Sequence, residues 1–222
     1  MAQLLYERHS TAVHLNIVKR HIRLARQFKG AEGLVTAIEP FYNELAAKAA
    51  NTISATEETE CKRDLLTFVD VSLDDKVRDL NDASKKYDRD HPGIPVSTLL
   101  FPEGTSPLIY APIETEPTLV EKLILGIQSL GEGHLLAEHI GTLQDAIVNS
   151  KTAISELKAA ITAEKMAEAL EAIAKVNLTR QYEQNIYTAS SKFGKAFANR
   201  LFPAIKVNGK SEPDDETAKP AQ

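Results

Sequence analysis

The 222-residue sequence predicts an all-α protein, a helical bundle of about six helices. Apolar residues recur every three or four positions through most of the chain, which is the spacing of one face of a helix. Alanine, leucine, glutamate and lysine are plentiful, and these side chains lose little rotamer freedom in a helix. Hydrophobic residues make up 43% and charged residues 26% of the chain, which is typical of folded globular domains rather than disordered chains.

The first predicted helix spans residues 3–28 and carries two adjacent apolar stripes. One stripe is Leu15, Val18, Ile22 and Ala25, and the other is Ile17, Leu24 and Phe28. Stripes of this breadth predict a mostly buried helix. A glycine turn at residues 30–33 ends it, and a second helix continues to Ile53. Pro40 is expected to kink this second helix or to mark its start, because proline has no N–H to bond four residues back.

The third predicted helix begins at Thr56, whose hydroxyl can cap the N-terminus, with two glutamates in the first turn. Its apolar positions are Cys61, Leu65 and Phe68, followed by Val77, Leu80 and Tyr87. A break at Ser72 is an alternative, since Asp75 follows it in the spacing of a capping box. Cys61 has no partner for an internal disulfide, and we interpret it as a small apolar residue packed on a helix face.

The segment at residues 91–117 differs from its neighbours because it contains six of the ten prolines. Proline removes a backbone N–H and clashes with the preceding turn, so this segment is predicted not to be helical. Its apolar runs at residues 96–101 and 108–110 flank a turn that contains proline and glycine. The pattern predicts a Pro-rich extended linker or a small β-hairpin between two halves of the bundle.

Helical spacing resumes at Leu119 and predicts three more helices. The fourth helix ends at Leu130, before a second glycine turn. The fifth spans residues 140–161, and the sixth begins at an N-cap, Thr162, and ends near Arg200.

The two halves of the sequence resemble each other in three places, which predicts an internal duplication. The matching segments are 71–73 with 176–178, 83–87 with 189–193, and 100–102 with 201–203, at offsets of 105, 106 and 101 residues. An offset of 105 is a multiple of seven, so chance agreement between two amphipathic helices is the alternative. A three-helix unit cannot cover apolar stripes this broad, so each half is expected to bury those of the other.

These boundaries predict two pseudo-symmetric three-helix units joined by the Pro-rich linker. The first unit is expected at residues 1–90, the linker at 91–117 and the second unit at 118–203, with both units packed into one compact domain. Residues 204–222 are polar and acidic, and they are predicted to form a disordered tail.

The charge distribution singles out the N-terminal helix. The whole chain carries a net charge of -5, whereas its first 30 residues carry a local charge of +5. The candidate surface for an anion or a partner is Lys19, Arg20, Arg23 and Arg26. It suits nucleic acid, an anionic lipid surface or an acidic protein. The alternative is that these cations balance the acidic helices of the same chain.

The histidines and acids do not have the spacing of a metal site. His14 and His21 lie two helical turns apart, roughly 10 Å, which is too far to share one ion at ligand distances of ~2.1 Å. A calcium loop starting at Asp88 has the required glycine at Gly93, but Leu99 replaces the terminal glutamate. We therefore predict no metal, cofactor-binding or catalytic residue, and we interpret these acids as a solvated helix face.

No nucleophile elbow, phosphate loop or dinucleotide fingerprint occurs in the sequence. We predict a non-enzymatic interaction or assembly protein that binds a protein partner or forms a homo-oligomer. One alternative is an anion- or nucleic-acid-binding module that uses the basic helix, and another is a pocket for a small apolar ligand. No segment approaches the ~20 apolar residues of a membrane span, and the first 30 residues lack a secretory apolar stretch, so a cytoplasmic protein is expected.

Overall fold

The computed structural model describes residues 4–202, and the predicted all-α class is confirmed for them. Helices hold 82% of these residues, and none of these residues lies in a strand. Within this range the α-helices are α1 (Thr11–Ala25), α2 (Glu32–Asp90), α3 (Val96–Leu100), α4 (Ser106–Ile109), α5 (Glu116–Ser129), α6 (His139–Phe193) and α7 (Lys195–Leu201), with a 3-10 turn at Leu135–Glu138. The predicted tail at residues 204–222 lies outside the described range.

The second and third predicted helices are one continuous helix, α2, so the predicted start at Thr56 and the alternatives of a start at Pro40 and a break at Ser72 are wrong. Pro40 lies inside the helix, and the kink expected there stays a prediction. Thr56 does not cap a helix, because its hydroxyl donates to Glu164 Oε1 at 2.9 Å. Between Pro40 and the end of α2 the sequence contains no further proline and no glycine, so nothing forces the backbone out of the helix.

The fifth and sixth predicted helices are likewise one helix, α6. The predicted N-cap, Thr162, lies inside it and donates from its hydroxyl to the carbonyl of Lys158 at 2.9 Å, one turn earlier. This side-chain bond is compatible with an uninterrupted helix. The helix ends before Gly194, whose φ of 83° is a conformation that favours glycine.

The predicted extended linker or hairpin is also wrong, because the segment folds into the two short helices α3 and α4. The carboxylate of Asp88 accepts the backbone N–H groups of Val96 at 2.7 Å and Ser97 at 3.0 Å, and so satisfies donors in the first turn of α3. Pro107 lies in the first turn of α4, where its missing N–H is not needed. The prolines flank or begin these helices rather than interrupting them.

The chain divides into two compact units, and α2 and α6 each contribute to both. Unit 1 contains residues 4–49 and 170–202 of the described range, and unit 2 contains residues 50–169. The helix order agrees with the predicted duplication, since a short helix, a glycine turn and a long helix occur twice, as α1 with α2 and as α5 with α6. The duplication itself stays a prediction.

Unit 1 is built from α1, the start of α2, the end of α6 and α7. The start of α2 and the end of α6 run antiparallel, since Lys192 Nζ donates to the carbonyl of Gly30 at 3.2 Å and Asn185 Nδ2, earlier in α6, donates to that of Leu34 at 2.8 Å. The largest fully buried side chains of this core are Leu5, Ile38, Leu45, Leu178, Tyr182, Leu201 and Phe202.

Unit 2 is built from the rest of α2, the helices α3, α4 and α5, and the first part of α6. Its core includes Leu73, Val77, Leu80, Val120, Ile127, Leu143 and Ile147. A salt bridge of 3.0 Å between Lys62 and Glu156 joins α2 to α6. Helix α3 approaches α5 closely at Gly126, where an added Cβ would lie 2.9 Å from Leu100 Cδ2.

Candidate functional site

His21, on α1 in unit 1, is fully buried and hydrogen-bonded through both ring nitrogens. Its Nδ1 lies 3.1 Å from the carbonyl oxygen of Leu201, and its Nε2 lies 3.2 Å from Nδ2 of Asn185. A carbonyl can only accept, so Nδ1 carries the proton and Nε2 accepts from the amide. The second proton of Asn185 Nδ2 goes to Leu34. This network joins four helices of unit 1.

The surroundings of His21 hold it in the neutral form. Burial lowers its pKa to about 4, and the hydrogen bond to Leu201 only partly opposes this effect. The ring of Phe202 stacks on the imidazole at 4.2 Å between centroids, and Tyr182 packs edge-on at 5.7 Å. Because both nitrogens are occupied, neither is free to bind a metal or to transfer a proton in this arrangement.

The other histidines and acids do not form a metal centre. The described residues contain no group of three histidine, cysteine, aspartate or glutamate side chains placed to hold an ion. His134 caps the 3-10 turn, where its Nδ1 accepts the N–H of Leu136 at 3.2 Å. His14 is buried on α1, and its Nδ1 lies 3.0 Å from the carbonyl of Ser10.

A buried acidic cluster in unit 2 was not anticipated from the sequence. Glu116, the first residue of α5, is only 2% exposed and lies beside Asp70 and Asp74 of α2. Burial, reinforced by these two carboxylates, raises the pKa of Glu116 to about 8. Arg78 binds one oxygen of Asp74 at 3.1 Å. The other oxygen of Asp74 and Oε1 of Glu116 have no donor while both carboxyls are ionised, and a protonated Glu116 hydrogen-bonds with Asp70 and Asp74. Glu116 is therefore protonated at neutral pH.

The predicted basic residues Lys19, Arg20, Arg23 and Arg26 are all exposed. With a rotation of about 100° per residue, Lys19, Arg23 and Arg26 lie within an arc of about 60° around the helix axis. Arg20 lies outside this arc. Arg26 Nη2 contacts Glu39 Oε1 of α2 at 2.5 Å, so one of the four cations is balanced inside unit 1. Within the described range, no acid lies within salt-bridge distance of Lys19, Arg20 or Arg23.

The largest departure from the sequence prediction is an apolar face on α2 in unit 2. This α2 outer face consists of the exposed residues Cys61, Asp64, Leu65, Phe68, Val71, Ser72 and Asp75. Phe68 is 74% exposed, Val71 52% and Leu65 40%. The opposite side of the helix carries Leu66 and Leu73, which are buried. The α2 outer face therefore points away from the core.

Cys61, Leu65 and Phe68 were predicted to pack on the same helix as Val77, and the structure corrects this. Phe68 and Val77 are nine residues apart, which is half a turn out of phase at about 100° per residue. A break at Ser72 would have allowed both stripes to face the core. Because α2 is continuous, only the stripe that contains Val77 is buried, and Cys61 is exposed.

An apolar groove lies on unit 2 between α3, α4 and α5, and its volume is about 410 Å³. Its lining includes Leu99, Leu100, Phe101, Pro107, Leu108, Leu119 and Leu123. Lys122 and Glu103 also line it, but no converging set of polar groups selects one orientation of a ligand.

Comparisons with protein-family models, with curated proteins and with solved structures gave no match. Among the described residues, no helix combines the length and apolar character needed to cross a membrane. The α2 outer face is an exposed apolar surface that packing within unit 2 does not cover, and α6 carries further exposed apolar residues at Met166, Leu170 and Ile173.

Proposed function

We propose that this chain is a non-enzymatic assembly protein that binds another helix through the α2 outer face. The observation that carries the proposal is the exposure of Phe68, at 74%, on the side of α2 opposite its packed side. Single exposed apolar residues are ordinary on protein surfaces. Here Leu65, Phe68 and Val71 follow one another at three-residue spacing, which is the pattern that a helix offers to a groove or to a second helix.

The burial of ionisable groups supports the non-enzymatic part of the proposal. His21 has both nitrogens engaged in the core, and Glu116 is covered by its own unit. A general acid or base must reach its substrate within hydrogen-bond distance, and neither residue is open to solvent. The exposed free thiol of Cys61 is compatible with a reducing compartment, which supports the cytoplasm as the location.

Affinity capture with single-residue variants tests this function. Immobilised wild-type chain, Phe68→Glu and Tyr187→Glu are compared for retention of a stoichiometric partner from lysate of the source cells, or of the soluble chain itself. Tyr187 is a matched control, because it is also a large side chain with 69% exposure but lies on α6 in unit 1.

We expect the wild type and Tyr187→Glu to retain the partner and Phe68→Glu to lose at least about 90% of it. A buried glutamate without a partner carries a large desolvation cost. Equal retention by all three proteins, or no retention by any of them at concentrations near 100 µM, contradicts the proposal. Circular dichroism establishes that the variants remain helical.

A second function, anion binding by α1, is favoured by one specific observation. Lys19 and Arg23 lie on one exposed side of α1 with no acid within salt-bridge distance in the described part of the chain. Such cations bind polyanions through counterion release, which makes affinity fall steeply with salt.

The test is a triple alanine variant of Arg20, Arg23 and Arg26, measured on a heparin or nucleic-acid column. A matched control replaces Lys85, Lys86 and Arg89, which are exposed on α2 and remove the same charge. We expect the α1 variant alone to elute at clearly lower salt. Equal elution of the two variants rejects a specific α1 site.

A further inference from the structure

The charged residues beside the α2 outer face are arranged with a definite polarity. At about 100° per residue, Glu58 and Lys76 border one edge of the face, and Glu60 and Arg78 border the other edge. Each glutamate lies eight or ten residues before Phe68, and each cation lies eight or ten residues after it. Both edges are therefore negative towards the N-terminal end of α2 and positive towards its C-terminal end.

This polarity selects both the partner and its direction. From it we infer that the α2 outer face binds a second copy of this chain in the antiparallel direction, with the two Phe68 side chains at the centre. This inference rests on the proposed assembly function. When two such faces meet antiparallel, a two-fold axis at Phe68 sets Glu58 opposite the other copy's Lys76 and Glu60 opposite its Arg78. In each pair the two residues are offset by two helix positions, which is about 3 Å along the helix axis.

The parallel arrangement of two copies places like charges together. In that arrangement Glu58 meets Glu60 of the other copy, and Lys76 meets Arg78. Like charges across a helix interface disfavour that pairing, and opposite charges favour the antiparallel one. Each of the four edge residues already forms a salt bridge on α2, so together they set direction more than strength. The pairs are Glu58 with Lys62, Glu60 with Arg63, Lys76 with Asp79, and Arg78 with Asp74 and Asp75.

The length of the contact is limited by acids within the face. In the antiparallel pair, Asp64 lies within three residues of Asp75 of the other copy, about 5 Å along the axis, and Glu57 meets its Asp79. Three apolar side chains per copy bury less than the ~1,200 Å² of a stable interface. The dimer is therefore transient, with a dissociation constant on the order of 100 µM.

Sedimentation equilibrium of the purified chain between about 10 µM and 1 mM measures the association. We expect a monomer–dimer equilibrium for the wild type and for Tyr187→Glu, and a dissociation constant at least about tenfold weaker for Phe68→Glu. The charge-reversed variants Glu58→Lys with Glu60→Lys, and Lys76→Glu with Arg78→Glu, should each associate more weakly than the wild type. Mixed together, they should form a heterodimer, because every edge pair is again opposite in charge.

A disulfide reports the direction. In the antiparallel pair, Cys61 lies opposite Asp75 of the other copy, whereas the two Cys61 residues are fourteen positions apart, about 21 Å. Asp75→Cys should therefore form intermolecular bonds between positions 61 and 75 under mild oxidation, identified by peptide mapping. Bonds between two copies of Cys61 show the parallel arrangement and overturn the inference.

The outcomes separate the two proposals. A chain that stays monomeric at 1 mM, while Phe68 is still required to capture a different protein, overturns the self-pairing and leaves the assembly function standing. A dimer that is unaffected by Phe68→Glu overturns the self-pairing, and it overturns both proposals when Phe68→Glu also retains captured partners as well as the wild type does.

Discussion

Unit 1 and unit 2 each bury an ionisable side chain, but they stabilise it in different ways. His21 in unit 1 has a hydrogen-bond partner on each ring nitrogen. Glu116 in unit 2 lies beside two other carboxyl groups, with which it can hydrogen-bond only when it carries a proton. Burial keeps the first group neutral and its hydrogen bonds satisfy both nitrogens in that form, whereas the second can be buried only by retaining its proton.

This difference gives the two units opposite responses to pH. The pKa of His21 falls from 6.5 to about 4 on folding, so the unfolded chain binds a proton that the folded chain does not, and stability falls as pH decreases from 6.5 towards 4. The pKa of Glu116 rises from 4.5 to about 8. The stability that Glu116 contributes to the folded state is therefore present in acid and is lost as pH rises from 4.5 through 8.

The largest effect is expected from Asn185→Ala in unit 1. The change removes the donors to His21 and Leu34 and leaves a small cavity, which together should lower the free energy of unfolding by about 3 kcal/mol. Urea unfolding at pH 7 measures it. Asn149→Ala, at an exposed position of α6, is the control and should change it by less than about 0.5 kcal/mol. A loss below about 1 kcal/mol for Asn185→Ala means that the network contributes little.

Glu116→Gln in unit 2 should raise the free energy of unfolding, which Asn185→Ala should lower. Glutamine stays neutral at every pH and can donate to the neighbouring aspartates, so the variant should be more stable than the wild type by roughly 2 kcal/mol at pH 8. At pH 4, where the wild-type carboxyl is protonated, the two should be nearly equal. Urea unfolding across this range is compared with the exposed control Glu132→Gln. If the free energies of unfolding of the wild type and of Glu116→Gln change with pH in the same way, the pKa of Glu116 is not raised.

Hydrogen exchange can locate the two pH responses within the wild-type chain. After correction for intrinsic rates, amides of α1 and α7 should exchange about tenfold faster at pH 5 than at pH 7, because protonation of His21 favours opening. Amides of α5 should become less protected between pH 6 and pH 8. The same direction of change in both regions contradicts the assignment of these pKa values.

The smallest effect is expected from Tyr182→Phe. The Tyr182 hydroxyl is buried without a partner among the described residues, and burial raises its pKa, so the group stays neutral. Removing it deletes no hydrogen bond and should change the free energy of unfolding by less than about 1 kcal/mol, towards greater stability. A clear loss shows that the hydroxyl does have a partner. Comparing Tyr182→Phe with Asn185→Ala shows how much a polar group with hydrogen-bond partners and one without them each contribute to the stability of the same core.

Local signals predicted the fold class and several helix ends, but not the length of the long helices. The glycine turn after α1 was expected, and Gly30 has a φ of 93°. Thr56 and Thr162 looked like caps, and their hydroxyls instead bond to Glu164 and to the carbonyl of Lys158. A capping pattern identifies a residue able to end a helix, whereas tertiary packing decides whether the helix ends there.

The candidate sites, too, were predicted only where a local sequence signal was sufficient. The basic residues of α1 were predicted and are exposed, because charge is readable from sequence alone. The α2 outer face was assigned to the core, since its phase relative to Val77 depends on whether the helix breaks at Ser72. The acidic cluster joins Glu116 to Asp70, 46 residues away in the sequence, and no spacing rule connects them.

The discontinuity of unit 1 affects how the protein is made. A ribosome releases α1 and the start of α2 early, yet the remaining helices of their shared core, the end of α6 and α7, begin at residue 170. Unit 2 is contiguous and has all its residues once synthesis passes position 169, so it can fold first. The apolar sides of α1 and of the start of α2 therefore stay incompletely covered through most of translation, and we expect a chaperone to protect them during that time.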